Sequence, residues 1–287
     1  MKNRIAESEL IINASGAVYH LNVRPEELAS TVITVGDPDR VKAVSKYLDK
    51  IEVKKQHREF ITHTGYIGKK RISIVSTGIG TDNIDIVLNE LDALANIDLN
   101  SRLLKAKPNS LQIIRLGTSG SMREDLPVNT VLASAHAIGL DTLMQFYPLK
   151  QSKAALAVQE HLQKTFQLPS YVAEGSAALL EAFKPIAQIG TTVTCPGFYA
   201  PQGRALRYKL KHPNLLSELA KMSYRKVPVT NFEMETSGIY ALGGLLGHQC
   251  MSVSLLVANR VSKVFSTDAD KQIKKMIENS LAIIEKI

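Results

Sequence analysis

"TVITVGDPDR" at positions 31–40 changes character halfway along. The first half is rich in β-branched residues and reads as a strand. Glycine, acid and proline then end it. Proline suits the first turn of a helix and Asp37 suits its N-cap. A strand over 31–36 leading into a helix over 39–49 is the repeating unit of an α/β protein, and the chain returns to it. "RISIVSTGIG" (71–80) is a strand running into a glycine turn. Over 82–97 the apolar residues Ile84, Val87, Leu88, Leu91, Leu94 and Ala95 have helical spacing, with Thr81 or Asp82 as the expected N-cap. "LQIIRLGTSG" (111–120), "NTVLASAHAIG" (129–139), "AQIGTTVTC" (187–195) and "CMSVSLLVANR" (250–260) read as further apolar strands. Residues 150–166 read as a surface helix and 232–246 as a buried one. An amphipathic helix over 269–286 follows, through Ile273, Met276, Ile277, Leu281 and Ile284. The alternation predicts a largely parallel or mixed sheet covered by helices on both faces, in one domain.

Bulk properties narrow the function. Of 287 residues, 45% are hydrophobic and 22% charged, which suits a globular chain. No run of 18 apolar residues points to a membrane span. The opening "MKNRIAESEL" lacks the apolar core of a signal peptide. Cys195 and Cys250 form neither a metal spacing nor a disulfide framework, so a cytoplasmic protein without a metal is expected. The net charge of +8 suits nucleic acid or small anions. Lysines spread along the chain and aromatics at only 6% favour the anions.

Ligands of such sheets gather at the carboxyl ends of the strands. After the first strand, Gly36 and Asp37 open a helix start whose free N–H groups favour an anion, and Arg40 adds a forked cation. A capped helix with a surface arginine is the plainer alternative. Arg115 lies inside the apolar strand "IIRLGTSG", where an unpaired guanidinium is expensive. It is either one half of a salt bridge or a ligand-binding cation beside Thr118. Arg58 in "QHREF" is a third candidate. "TNFEMETSGIY" (230–240) sets Glu233 and Glu235 before a helix with few charges. They either satisfy the helix start or accept sugar hydroxyls. "GFYAPQGR" (197–204) offers Phe198 for stacking, Gln202 as an amide reader of a heterocycle, and Arg204 as a counter-charge, or is an ordinary polar loop.

"VGDPDR", "HREF", "STGIG", "IIRLGTSG", "FYAPQGR", "NFEMET" and "VANR" stand in the order found in uridine phosphorylases, and the chain resembles that branch of the nucleoside phosphorylase family from about residue 20 to its end. The resemblance implies a single-domain, three-layer fold with a central mixed sheet flanked by helices, over 1–287, with 1–19 as an N-terminal extension. It implies phosphate held by Gly36, Arg40, Arg115 and Thr118, joined by Arg58 of a neighbouring subunit. Ribose would be held by Thr118, Glu233, Met234 and Glu235, with His20 reaching across from the neighbour. Phe198, Gln202, Arg204 and Phe232 would surround uracil. Arg115, Gln202, Arg204 and Arg260 would carry the catalytic work, Arg260 from behind the base site. A homo-oligomer built from dimers, as a hexamer, is expected, with nucleoside and inorganic phosphate as its small-molecule partners and neither nucleic acid nor membrane.

Purine-specific relatives place an aspartate where Asn259-Arg260 stands here, which favours a pyrimidine. The alternatives are a purine, deoxyuridine or thymidine phosphorylase, or a nucleoside-binding protein without catalysis. No cofactor is expected. In some relatives a structural potassium ion sits between subunits on a glutamate and a serine. Glu59 matches the first, and Asn83 stands at the second.

Overall fold

In the computed structural model, which describes residues 4–287, Thr31–Val35 forms strand β1 with all its side chains buried. A strand covered on both faces needs no alternation, which is why the run is continuously apolar or β-branched. Helix α1 (Pro38–Ser45) follows at once. The Asp37 carboxylate accepts from Asp39 N–H at 2.9 Å and caps it. α1 stops short of the predicted end, because Tyr47 and Leu48 tighten into i→i−3 turns.

Three antiparallel strands come next: β2 (Lys50–His57), β3 (Phe60–Ile67) and β4 (Lys70–Ser76). β4 then lies parallel to β1. β2 is an outer strand with Lys50, Glu52 and Lys54 exposed, and charge on an edge discourages pairing with other chains. Helix α2 (Thr81–Asn96) buries the six predicted apolar residues. Its N-cap is Gly80 at φ 97°, and not Thr81 or Asp82. That backbone, which side chains disfavour, turns the Gly80 N–H toward Glu235, 155 residues further on.

A small hairpin, β5 (Ile97–Asp98) and β6 (Leu103–Leu104), precedes β7 (Gln112–Ser121) and β8 (Val131–Gly139). The Ser152 hydroxyl caps α3 (Lys153–Phe166), which is followed by β9 (Tyr171–Glu174), α4 (Ala177–Phe183), β10 (Gln188–Thr194) and α5 (Leu215–Lys221). Then come β11 (Ser223–Tyr224), β12 (Val227–Glu233), α6 (Thr236–Leu245), β13 (Gln249–Asn259), β14 (Val264–Phe265) and α7 (Ala269–Ile284). The predicted helix over 232–246 is therefore in part a strand. Val227, Val229 and Thr230 carry β12 forward as far as Glu233, and α6 begins only at Thr236.

The strand order is β11-β12-β10-β8-β13-β7-β1-β4-β3-β2, mixed in direction as expected. β12 also pairs antiparallel with β7, through Asn231↔Ser121 and Phe232↔Gly120. With β7–β13, β13–β8, β8–β10 and β10–β12, this closes a ring of strands. Closure removes edges from the centre of the sheet and brings the end of β12 beside β7. α2 and α6 pack one face through Leu88, Leu91, Ile239 and Leu242. α1, α4 and α7 cover the other through Val41, Leu179, Ile277 and Leu281.

Candidate active site

The ends of β1, β7, β10 and β12 converge on a cavity of about 710 Å³. Gly36 and Arg40 line it from the β1–α1 turn, and Arg115 and Thr118 from β7. The half-buried Arg40 guanidinium makes no hydrogen bond or ion pair with any other described residue. Burial lowers its pKa, and the nearby Arg115 charge lowers it further.

Arg115 itself is 6% exposed. Its Nη2 lies 2.6 Å from Glu235 Oε2 and 3.2 Å from Glu233 Oε2, and Nη1 donates to Ser254 Oγ at 3.2 Å. Burial alone would lower the Arg115 pKa, but the two carboxylates outweigh it and hold it above the ordinary value. Gly117 makes this possible, since a Cβ there would run into the guanidinium. Arg115 is thus a salt-bridge partner and a wall of the cavity at once.

Glu233, Met234 and Glu235 line the same cavity from the β12–α6 junction. Glu235 Oε1 accepts from Gly80 N–H at 2.8 Å, and Oε2 accepts from Arg115. An ionised carboxylate offers about four lone-pair positions, so Glu235 keeps about two open. Burial pushes its pKa up; Arg115 opposes this, and the Glu233 charge adds to it.

Phe198, Gln202, Arg204 and Phe232 line the cavity on the β10–β12 side. The Arg204 guanidinium stacks 3.8 Å from the Phe198 ring centre. Its Nη1 donates to Gln202 Oε1 at 2.7 Å and to the Phe198 carbonyl at 2.6 Å. The Gln202 amide is therefore oriented, with its oxygen toward Arg204. Arg260 stands behind this loop and outside the cavity wall, donating to the carbonyls of Gln202 at 3.0 Å and Gly203 at 3.2 Å. Burial lowers the Arg204 pKa, and the Arg260 charge adds to that.

His20 and Arg58 do not line this cavity. His20 Nδ1 lies 2.6 Å from Glu90 Oε1. Arg58 occupies the exposed β2–β3 turn at φ 54°, its guanidinium 5.9 Å from the Tyr19 ring centre, and Tyr19 meets His20 edge-on at 4.9 Å. Glu59 and Asn83, the pair weighed for potassium, both line the cavity. Phe265, from the short β14, does so as well.

Two supports were not foreseen from the sequence: the Gly80 N–H on Glu235, and the Thr194 hydroxyl, which donates to Glu233 Oε1 at 2.7 Å. "STGIG" carried a signal for the first. Thr194 looks like any strand threonine. Among the described residues, no three His, Cys, Asp or Glu side chains form a group that could hold a metal ion. No helix among them is long and apolar enough to cross a membrane.

A mixed sheet whose strand ends bring arginines, acids and an oriented amide to one cavity is an arrangement suited to a small anion beside a polar organic ligand. Residues 30–287 match the family model of the phosphorylase superfamily, and the chain belongs to that superfamily. A uridine phosphorylase of Thermococcus kodakarensis is 27% identical over 99% of this chain and 92% of its own length. A DeoD-type purine nucleoside phosphorylase of Bacillus velezensis is 27% identical over 88% of this chain and 92% of its own. The crystal structure of a Trypanosoma brucei nucleoside phosphorylase that shows uridine phosphorylase activity superposes with a TM-score of 0.84 at 31% identity, covering 93% of this chain and 98% of that one.

Proposed function

We propose that this chain is a uridine phosphorylase, a pentosyltransferase that moves ribose from N1 of uracil to inorganic phosphate. The observation that carries the reading is the composition of the cavity at the strand ends. It holds the unpaired Arg40 guanidinium facing Arg115, a Glu235 carboxylate with open acceptor positions, and the oriented Gln202–Arg204 pair. These suit an anion, a diol and a lactam in turn.

Phosphate sits on Gly36, Arg40, Arg115 and Thr118, with Arg58 of a neighbouring subunit, and is the nucleophile at C1′. The N1–C1′ bond breaks with its electron pair leaving on uracil, and a phosphate oxygen forms the new bond to C1′. Holding the two reactants in place can contribute about 7–11 kcal/mol at the upper end. Glu235 and Met234 hold the sugar, with Thr118 and a neighbour's His20, while it gains oxocarbenium character. Gln202 and Arg204 face the developing charge on uracil, where pre-placed donors stabilise the transition state without reorganising. Arg260 keeps their loop in place. No cofactor enters the reaction, and no step passes through the Glu59–Asn83 pair.

Asn259 supports pyrimidine over purine. Its Nδ2 donates to the carbonyls of Arg123 and Leu126, and its Oδ1 accepts from the N–H groups of Val261 and Ser262. Buried and fully engaged, it has nothing left to offer a purine ring nitrogen. The reading includes a single catalytic domain with 1–19 as an extension, acting in the cytoplasm as a homo-oligomer of dimers, up to a hexamer. It is supported by the place of His20 and Arg58 outside their own cavity.

A panel of uridine, deoxyuridine, thymidine, cytidine, inosine and adenosine, with and without phosphate, tests this reading by base release. Uridine cleavage that requires phosphate is expected. A purine preference, or release without phosphate, would refute it.

A further inference from the structure

Glu233 was expected to hold ribose beside Glu235, yet the two acids are bonded differently. Glu233 Oε1 accepts from Thr194 Oγ1 at 2.7 Å and from Thr236 N–H at 3.1 Å. Its Oε2 accepts from Glu235 N–H at 2.9 Å and Thr236 N–H at 3.0 Å, and lies 3.2 Å from Arg115 Nη2. With about four lone-pair positions on a carboxylate, Glu233 has none left for a sugar hydroxyl. Its side chain is 2% exposed. Glu235, in contrast, takes two protein donors and keeps about two positions open.

The donors on Glu233 are the parts of the site whose geometry matters. Glu235 N–H ties Glu233 to the backbone of the next acid. Thr236 N–H belongs to the start of α6, where Glu235 occupies the N-cap position without using its own side chain to cap. Arg115 Nη2 is the same nitrogen that grips Glu235 Oε2 at 2.6 Å. The Thr194 hydroxyl also accepts from Ser237 N–H at 2.9 Å, which links the end of β10 to the helix. Removing Glu233 therefore frees the guanidinium and the neighbouring acid together.

We propose that Glu233 is a positioning residue that does not touch the substrate: it fixes the Arg115 guanidinium and the Glu235 carboxylate at the angle in which one meets phosphate and the other meets ribose. This rests on the phosphorolysis reading. A plain helix cap would predict lost stability and nothing more. A sugar ligand would predict a loss that depends on the ribose hydroxyls. A positioning residue predicts weaker handling of phosphate, the same for every sugar.

The test compares Glu233→Gln, Glu235→Gln and Thr194→Val, using uridine and 2′-deoxyuridine over a range of phosphate concentrations. In Glu233→Gln an amide N–H₂ must face donors it cannot accept from. kcat/KM for phosphate should fall by about tenfold to a hundredfold, with the uridine to 2′-deoxyuridine ratio held within about twofold. Glu235→Gln should shrink that ratio. Thr194 lies outside the cavity wall, so Thr194→Val keeps the site's surface and removes one bond to Glu233. It should show the Glu233 pattern more weakly, and it decides the matter should Glu233→Gln fail to fold. A ratio that shrinks in Glu233→Gln as it does in Glu235→Gln, or phosphate kinetics unchanged in folded Glu233→Gln or Thr194→Val, would overturn the proposal. Should the wild-type protein cleave no nucleoside, the functional reading fails instead. Calorimetric titration with inorganic phosphate then decides the role of Glu233, with weaker binding by the variants expected and equal binding overturning it.

Discussion

Replacing Arg115 by methionine keeps most of the side-chain volume and removes the charge. In the native protein that charge lies 2.6 Å from Glu235 and 3.2 Å from Glu233, in a site almost closed to water. Glu233 retains its hydroxyl and backbone donors, but Glu235 keeps only the Gly80 N–H. Breaking a buried pair by removing one partner costs about 3–5 kcal/mol, because the other charge remains buried. One kcal/mol moves the Tm of a large domain by roughly 2–4 °C, so Arg115→Met should melt about 6–20 °C below the wild type. Neutralising the stranded partner should restore much of this: Arg115→Met/Glu235→Gln should be more stable than Arg115→Met alone, since contacting residues couple by about 0.5–3 kcal/mol. Both variants should lose phosphorolysis. Thermal melts of the wild type, both singles and the double form the cycle. A double variant no more stable than Arg115→Met would refute the idea that Arg115 is held in place by Glu235.

Three further outcomes follow from the same site. Burial raises the folded-state pKa of Glu235 above the unfolded carboxyl value of about 4.3. The folded state then holds more protons, so stability should decline as pH rises from about 4.3 through the folded pKa; melts across pH should show this slope, and Glu235→Gln should flatten it. Cytidine should be cleaved about tenfold to a hundredfold less efficiently than uridine by kcat/KM, because accepting cytosine would require turning the Gln202 amide away from Arg204 and leaving buried groups unpaired; equal values would show that Gln202 does not read the base. Inactive His20→Ala and inactive Glu235→Ala proteins should regain activity when their subunits are exchanged, and hybrids that form yet stay inactive would rule out a shared site.

Much of the fold was readable because β1, β7 and β13 are rich in apolar and β-branched residues and buried along most of their length, and because α2 and α7 keep helical spacing. The helix assigned to 232–246 failed at its start. Small apolar residues after Thr236 extended the helical pattern back over the end of β12, and the pairing of Phe232 with Gly120 that holds that end is a contact between residues 112 apart. No local spacing encodes it. Arg115 was conspicuous because a guanidinium in an apolar strand demands a partner, but its partners could not be read from neighbouring letters. Glu233 and Glu235 look equivalent in "NFEMET". They differ only in the donors the fold supplies, which are backbone N–H groups and a Thr194 hydroxyl from other elements. Arg260 was expected behind the base site from the motif "VANR", but the carbonyls of Gln202 and Gly203 to which it donates lie 58 and 57 residues away and could not be read from it.

Phosphorus NMR of the protein with uridine and inorganic phosphate, with uracil release followed by absorbance in the same sample, is the most direct measurement. The inorganic phosphate signal should decline and a sugar phosphate ester should rise in equal amount, one ester for each uracil. Uracil released without an ester would mean that water takes the ribosyl group, and the Arg40–Arg115 pair would not be a phosphate site. Neither uracil nor ester would mean that the cavity binds without catalysing.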